Sequence, residues 1–498
     1  MQTTLLLGMA AEGMPDRIAI TDAGVGMTYA QLERGARAGG AFLLEQPGEK
    51  TVFIGMNGAA VPLALFASGM AGKPFTPLNY RLADPDLVRL LARTAPAIAV
   101  VDADMLTRVA GVEGITFVSS EDFLARCCEG ETEPPDLPFS ENEVAVLLFT
   151  SGTTGAPKAA VLRHANLTSY VISSVEFMGA GEDEAALVSV PSYHIAGISA
   201  ILTGVYSGRR IVYLPSFTEE SWVETAASQT ITHAMVVPTM LGRVLDLIEG
   251  KGEQLPRLRA LSYGGGRMPQ SVIERALRLL PHVDFVNAYG LTETSSTIAV
   301  LGPEDHRSAI SSDDPAIRRR LGSVGRALPA VELEVRRPDG TRCPAGHPGE
   351  VHVRGDQIAG EYMGQSMLDA DGWFATRDAG FLDEHGYLFI EGRLDDVIVR
   401  GGENISPGEV EEVLRKHPGV RDVAVLGLPD VQWGERIAAV IVPAEPVPAA
   451  EELADWVKAR LRSTRTPETW EFRGELPYNE TGKLLRRVLK AELVAVGA

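Results

Sequence analysis

At 498 residues the chain is too long for one ordinary core, and its length implies about two to four structural units. Apolar residues at 45% and charged residues at 22% give an ordinary globular composition, which excludes wholesale disorder. A formal charge of −20 argues against nucleic acid or an anionic membrane as the main partner. The cysteines are Cys127, Cys128 and Cys343. Neighbours in sequence make a poor disulfide, and no Cys/His spacing suits zinc, so a reducing cytoplasm is expected. Leu5, Leu6 and Leu7 follow no basic residue, which makes a poor secretory signal.

Along the chain, strand-like runs alternate with helical ones. Strands are expected at 51–54, 97–101, 144–149, 186–190, 210–214, 234–237 and 284–287, a pattern that calls for parallel sheets flanked by helices. Two uncharged stretches, 51–72 and 187–208, are long enough to cross a bilayer. The first is broken by Asn57 and Pro62, the second by Pro191 and His194. Each is expected to divide into a short strand, a loop and a buried helix, leaving no integral membrane segment. After Leu321 the texture becomes turn-rich, with short strands expected at 331–335 and 349–353, as in a small β subdomain. A boundary is expected near Asp395, dividing a large domain, 1–394, from a small α+β domain, 395–498, of about a hundred residues. Within the latter, Ser406 at the N-cap, Pro407 in the first turn and Glu409 closing a capping box predict a helix start. Val410, Val413 and Leu414 then share one face. Strands at 423–426 and 438–442 follow, and a helix from Glu451 is expected to bury Leu453, Val457 and Leu461.

The run at 144–149 empties into Thr150-Ser151-Gly152-Thr153-Thr154-Gly155-Ala156-Pro157-Lys158. Glycines let backbone N–H groups approach an anion, the hydroxyls add donors and the lysine adds charge, which together read as a polyphosphate grip. The spacing from glycine to lysine is wrong for a Walker A loop. Ser-Gly-Thr-Thr-Gly-x-Pro-Lys resembles the phosphate loop of the adenylate-forming superfamily, which includes acyl-CoA synthetases, luciferases and peptide-synthetase adenylation domains. The resemblance spans nearly the whole chain, from Thr28-Tyr29 to Lys483. It implies an α/β fold, with a large N-terminal domain of parallel sheets flanked by helices plus a β subdomain, and a small mobile α+β C-terminal domain.

The family's other motifs occur in order. Tyr263-Gly264-Gly265-Gly266 offers a flat backbone wall, which in the family flanks adenine and closes the acyl pocket. A tight strand-to-helix turn would use the same glycines. Ala288-Tyr289-Gly290-Leu291-Thr292-Glu293 resembles the motif whose tyrosine stacks on adenine, whose threonine meets phosphate and whose glutamate holds Mg²⁺. A single carboxylate beside nucleotide phosphates suits that ion. Thr376-Arg377-Asp378 resembles the Thr-Gly-Asp motif whose aspartate accepts both ribose hydroxyls. Arg377 replaces the usual glycine, which bears on the shape of that loop. Gly392-Arg393-Leu394-Asp395 resembles the hinge motif, with Arg393 towards ribose and phosphate and Asp395 as the hinge. Gly401, Gly402 and Glu403 align with glycines along the pantetheine tunnel of thioester-forming members, although a glycine turn before a helix fits them equally. Lys483, in Thr481-Gly482-Lys483, aligns with the catalytic lysine. By analogy the acyl pocket uses Tyr193, His194, Val237, Thr294 and Ser295, with His194 a binding residue and not an acid or base.

The resemblance implies ATP, Mg²⁺ and CoA as cofactor and co-substrates. A carboxylate attacks the α-phosphate of ATP, and a thiol then displaces AMP. Lys483, Glu293, Thr154 and Lys158 fit the charge-neutralising roles that such a reaction needs. An acidic chain that binds ATP or CoA must concentrate its positive charge, as Lys458, Arg460, Arg462, Arg465, Lys483, Arg486, Arg487 and Lys490 do, although a solvated helix face accounts equally for most of them. The acid is expected to be fatty or hydrophobic and cyclic, because no charge is evident in the pocket. The other reading is an adenylating enzyme that loads a carrier protein or another acceptor. A homodimer is left open, as is a non-catalytic relative, against which Lys483 and Glu293 speak.

Overall fold

A computed structural model describes residues 1–129, 140–150, 157–252, 254–478 and 484–496. The protein is α/β and packs as two compact units. The first comprises Met1–Leu321, Ala327–Glu332 and Val353–Phe374, and the second Gly322–Arg326, Leu333–His352 and Ala375–Ala498.

Two sheets build the first unit. One runs in the order Gln365–Ser366, Glu361–Tyr362, Lys158–Arg163, Val144–Thr150, Phe75–Pro77, Lys50–Ile54, Ala97–Val101 and Ile115–Ser119. Its last five strands are parallel, and Val144–Thr150 and Lys158–Arg163 form an antiparallel pair. In the other, Asp284–Leu291, Ala260–Gly264, His233–Val236, Ala185–Val188, Arg210–Tyr213 and Ile18–Asp22 lie parallel in that order. All seven expected strands occur. The last runs on to Leu291 because Ser296–Leu301 folds back against it, so that Tyr289 and Gly290 lie within a strand.

Helices Thr3–Gly13, Tyr29–Glu45, Ala60–Met70 and Ile195–Ser207 share one core with Phe75, Val146 and Leu148 of one sheet and Ile20, Ile211 and Tyr213 of the other. Ala60–Met70 and Ile195–Ser207 are buried over almost their whole surface, which explains why they are apolar almost all round. Among the described residues no helix is long and apolar enough to cross a membrane. Thr28 starts its helix with a capping box, in which its hydroxyl accepts from Gln31 N and Gln31 accepts from Thr28 N.

A sheet of Glu332–Arg336, Gly349–Arg354, Phe374–Leu382 and Leu388–Arg393 has most of its residues in the second unit. A further sheet runs Glu403–Ile405, Ile398–Arg400, Gly434–Pro443 and Val420–Asp430, with Thr469–Phe472 parallel to Gly434–Pro443. Helix Pro407–Arg415 buries Val410 and Leu414, and Val413 packs beside them. The expected capping box is absent. Ser406 sits at the N-cap, but its hydroxyl donates to the Glu391 carbonyl, and Glu409 is ion-paired with Arg465. Helix Ala450–Lys458 buries Leu453 and Val457, while Leu461 packs on the same core from beyond the helix end.

Candidate active site

In the first unit the site is assembled at the carboxyl ends of parallel strands, where open α/β sheets place their ligands. Val236 pairs with Tyr263, Tyr263 with Asn287 and Gly264 with Ala288, so the segments after these strands emerge side by side. A Cβ on Gly264 would lie 2.4 Å from the Ala288 carbonyl oxygen, and one on Gly290 would lie 1.9 Å from the Ser296 oxygen. Main chain meets main chain at both points. Gly265 has φ +78° and faces Val237, where a Cβ would touch Cγ1 at 3.6 Å. Val237, Gly264, Gly265, Gly266 and Ala288 therefore form one wall.

Behind that wall, the Tyr263 hydroxyl donates to His306 Nε2 at 2.8 Å. His306 Nδ1 lies 2.7 Å from the Gly302 carbonyl, which can only accept, so Nδ1 carries the ring proton. Burial holds His306 below its ordinary pKa and pushes Tyr263 up, so both are neutral and serve to brace the glycine segment. Sequence alone offered no sign of His306.

The turn Thr292–Thr294 closes on itself. Thr294 Oγ1 accepts from Leu291 N at 2.9 Å and lies within hydrogen-bond reach of the Leu291 and Ser296 carbonyls. Its hydroxyl thus shapes the turn from inside the protein. Ser295 follows in the left-handed region at φ +56° and is fully buried. Gln357, also fully buried, donates from Nε2 to the Thr294 and Thr297 carbonyls at 3.2 and 2.8 Å. Gly360 N donates to the Glu293 carbonyl at 2.9 Å. The Tyr362 hydroxyl donates to Glu293 Oε1, and the Lys158 ammonium lies over the Tyr362 ring, 5.4 Å from its centre.

Thr150 and Lys158 are opposed in register where their hairpin opens. Ser151, Gly152, Thr153, Thr154 and Gly155 lie outside the described residues. At the hairpin's exit Arg93 donates to the Pro157 carbonyl at 2.7 Å and covers the Phe149 ring. This brace comes from the end of a distant helix, and no motif marks it.

Tyr193 and His194 sit on a loop pinned by Asn57. Its amide donates to the Val190 carbonyl at 3.1 Å, and its oxygen accepts from Ser192 N at 3.2 Å. Tyr193 contacts Tyr80 edge-on, with ring centres 5.8 Å apart, and lies 4.6 Å from His194. Burial, helped by the positive charge of Arg81, lowers the His194 pKa to about 4. The imidazole is neutral at physiological pH and cannot act as a cationic acid there.

In the second unit Asp378 and Arg393 are opposite each other on paired strands. Arg393 donates to the Asp378 carboxylate at 2.9 Å and to the Thr376 carbonyl at 2.8 Å. Thr376 in turn donates to the Val351 carbonyl and accepts from Asp378 N. Arg377 adopts φ +64°, a conformation natural to the glycine it replaces, and donates to Asp395 at 2.6 Å. Arg377 lies within the strand Phe374–Leu382, and Asp378 is paired with Arg393 across it.

Gly401 and Gly402, at φ +58° and +83°, make the tight turn joining Ile398–Arg400 to Glu403–Ile405. A Cβ on Gly401 would strike the Trp433 ring at 2.9 Å. Glu403 lies 3.4 Å from Arg465. Four of the eight basic C-terminal positions form ion pairs within the chain: Lys458 with Asp455, Arg465 with Glu409, Arg486 with Glu411 and Lys490 with Glu435. Lys483 lies outside the described residues. Tyr478 and Leu484, which bracket it, are bridged to each other.

Residues 8–363 match the family model of the AMP-binding enzymes, and residues 409–483 match that of the AMP-binding enzyme C-terminal domain. The chain belongs to the AMP-binding enzymes. It is 32% identical over 490 residues to a feruloyl-CoA synthase of Amycolatopsis sp, with 95% of each chain covered. It is 30% identical to the fatty acid–[acyl-carrier-protein] ligase ScoC of Streptomyces coeruleorubidus, covering 96% of this chain and 94% of that one. Among solved structures, it resembles the o-succinylbenzoate coenzyme A synthetase MenE of Bacillus subtilis in complex with ATP and magnesium ion. The TM-score is 0.83 at 28% identity, with 97% and 99% of the two chains covered. The same synthetase with its acyl-adenylate intermediate gives 0.84. The AMP-binding enzyme described here is thus a ligase of the acyl-CoA synthetase kind.

Proposed function

We propose that this ligase activates a hydrophobic carboxylic acid as its acyl adenylate and transfers the acyl group to CoA. The observation that carries the assignment is the meeting of Glu293 and Lys158 on Tyr362, beside a glycine wall at the carboxyl ends of parallel strands. A lone carboxylate is too little for a resident metal, and among the described residues no cluster of three or more His, Cys, Asp or Glu could hold one. It does suit Mg²⁺ that arrives already bound to ATP phosphates. That ion neutralises phosphate charge when present.

In the first step a substrate carboxylate oxygen bonds to the α-phosphorus while the bond to the β-phosphate oxygen breaks, giving acyl-AMP and pyrophosphate. In the second a CoA thiol bonds to the acyl carbon, and AMP leaves with the electron pair. Two anions meet in the first step, so the chain's task is positioning and charge neutralisation. Thr150, Ser151, Gly152, Thr153, Thr154, Gly155 and Lys158 take the phosphates, and Thr292 adds a hydroxyl. Gly264, Gly265, Gly266, Ala288, Tyr289 and Gly290 face adenine. Asp378 takes the ribose diol, with Arg393 holding it, and Lys483 bridges the substrate carboxylate and the α-phosphate. Tyr193, His194, Val237 and Ser295 line the acyl side, and Thr294 shapes it from behind. Gly401, Gly402 and Glu403 serve the CoA side. Asp395 is the hinge between 1–394 and 395–498.

The acyl-carrier-protein ligase among the relatives makes a carrier protein the second acceptor to test. The three free cysteines fit a reducing cytoplasm, and light scattering reads whether the chain pairs as a homodimer. The deciding experiment is pyrophosphate release from Mg·ATP across a panel of carboxylic acids, with and without CoA. Turnover of an apolar acid that depends on CoA is expected. Acyl-AMP that accumulates and is discharged only by a phosphopantetheinylated carrier moves the assignment to the second acceptor. In Lys483→Ala, acyl-AMP formation is expected to fall by about 10²–10³. Unchanged formation removes the lysine from the mechanism.

A further inference from the structure

We propose that Tyr362 is a positioning residue that holds Glu293 ready for metal-bound nucleotide and keeps it from pairing with Lys158. The proposal rests on the reading of Glu293 as a metal contact and Lys158 as a phosphate contact. Tyr362 sits between a carboxylate and an ammonium with a different part of its side chain on each. Its hydroxyl donates to Glu293 Oε1, while the face of its ring takes the Lys158 ammonium at 5.4 Å from the centre. Carboxylate and ammonium of opposite charge thus meet the same side chain at two different places, and each attracts the other through the space around it. A direct pair would cost the nucleotide site both charges at once. The phenol gives each a weaker partner: a neutral O–H for the carboxylate, which leaves Oε2 uncommitted by this bond, and a ring face for the cation.

The backbone around this arrangement is fixed independently of the phenol. Gly360 N holds the Glu293 carbonyl at 2.9 Å, and Gln357 holds the carbonyls of Thr294 and Thr297. Tyr362 itself pairs with Ala160 in the sheet, and Met363 N donates to the Ala159 carbonyl at 3.0 Å. The strand is tied further by Glu361, which accepts two hydrogen bonds from Arg163 at 2.7 and 2.9 Å. Removal of the phenol oxygen therefore leaves the turn in place and releases the carboxylate arm of Glu293.

The test measures binding of Mn²⁺ with α,β-methylene-ATP to the full chain, read by electron paramagnetic resonance of bound Mn²⁺ and by calorimetry. In Tyr362→Phe the half-saturating Mn²⁺ concentration is expected to rise about three- to tenfold, the worth of one ordinary hydrogen bond, because the bond lost positions Glu293 and does not itself touch the metal. In Tyr362→Leu, which also removes the ring face, the rise is expected to be about ten- to fiftyfold. A second substitution then separates spacing from simple loss of packing. Lys158→Gln weakens binding in the parent chain. In the Tyr362→Leu background it is expected to be neutral or to recover affinity, because it removes the partner that traps Glu293. Additive losses, or unchanged Mn²⁺ binding in both Tyr362 variants, overturn the proposal. Glu293→Gln is run beside them. If it leaves Mn²⁺ dependence unchanged, the metal-contact reading has failed; if it shifts that dependence while the Tyr362 variants do not, the positioning role alone has failed. Thermal melts within a few degrees of the parent confirm that the variants are folded.

Discussion

The glycine wall of the first unit and the Asp378 region of the second are built by opposite means. The wall is main chain against main chain, with Gly264 on the Ala288 carbonyl and Gly290 on the Ser296 carbonyl, braced by the neutral Tyr263–His306 pair. The Asp378 region is charge against charge, with Arg393 on Asp378 and Arg377 on Asp395. A surface made of backbone is flat and indifferent to salt, as a planar base requires, but it accepts no added side chain. A charged pair tolerates substitution better and answers to ionic strength. The two regions therefore fail differently.

The largest effect is expected at the wall. Gly290→Ala puts a methyl group 1.9 Å from a carbonyl oxygen, so main chain must move. A loss of about 1–3 kcal/mol in stability is expected, with pyrophosphate release falling more than about a hundredfold as the adenine contact is displaced. Calorimetric melting and a release assay check both, and an unperturbed melt would break the contrast. Next is Asp378→Asn, which keeps shape but removes charge beside Arg393 and halves the acceptor capacity offered to a diol. The ATP KM is expected to rise about ten- to hundredfold, the worth of a hydrogen bond to a charged group, with the melt changed little.

The pH response of the first unit sharpens the same contrast. His194 and His164 are held neutral by burial at pKa about 4, below the ordinary 6.5. Between those values the unfolded chain binds more protons than the folded one, so stability is full above pH 6.5 and falls as pH drops towards 4. Each is expected to contribute about 1–3 kcal/mol of that fall. His164→Gln should flatten the slope of denaturation midpoints across this window. His194 adds no break to the rate profile above pH 5.

The smallest effect is at Arg377. Its pair with Asp395 is half exposed and is worth about 0.2–1 kcal/mol, which is of the same order as the roughly 1–2 kcal/mol cost of a side chain at φ +64°. Arg377→Gly removes both terms and should leave the melting midpoint within a few degrees. Arg377→Ala keeps the backbone cost, loses the pair and should melt lower than Arg377→Gly. Equal midpoints would show that the left-handed conformation carries no penalty here.

Much of this was legible locally. The strands were set by short apolar, β-branched runs, and the glycines at 264, 290, 401 and 402 marked places where chain packs on chain or turns with positive φ. Those signals lie within a few residues of what they specify. The Ser406 capping box failed for the converse reason: its spacing was right, but Glu391 and Arg465, distant in sequence, offered better partners to the serine hydroxyl and to Glu409. In the basic tail, likewise, spacing does not show that Arg486 meets Glu411 and Lys490 meets Glu435, which packing alone brings together.

Sequence by itself determined the order of motifs, the alternation of strand and helix, and the residue types able to meet phosphate, ribose and adenine. Only the tertiary structure decided that Asn57 pins the Tyr193–His194 loop, that His306 braces the glycine wall, and that Tyr362 meets both Lys158 and Glu293. Periodicity and turn chemistry act between neighbours in the chain. A partner 43 to 135 residues away is chosen by which sheet edge and helix end packing brings alongside.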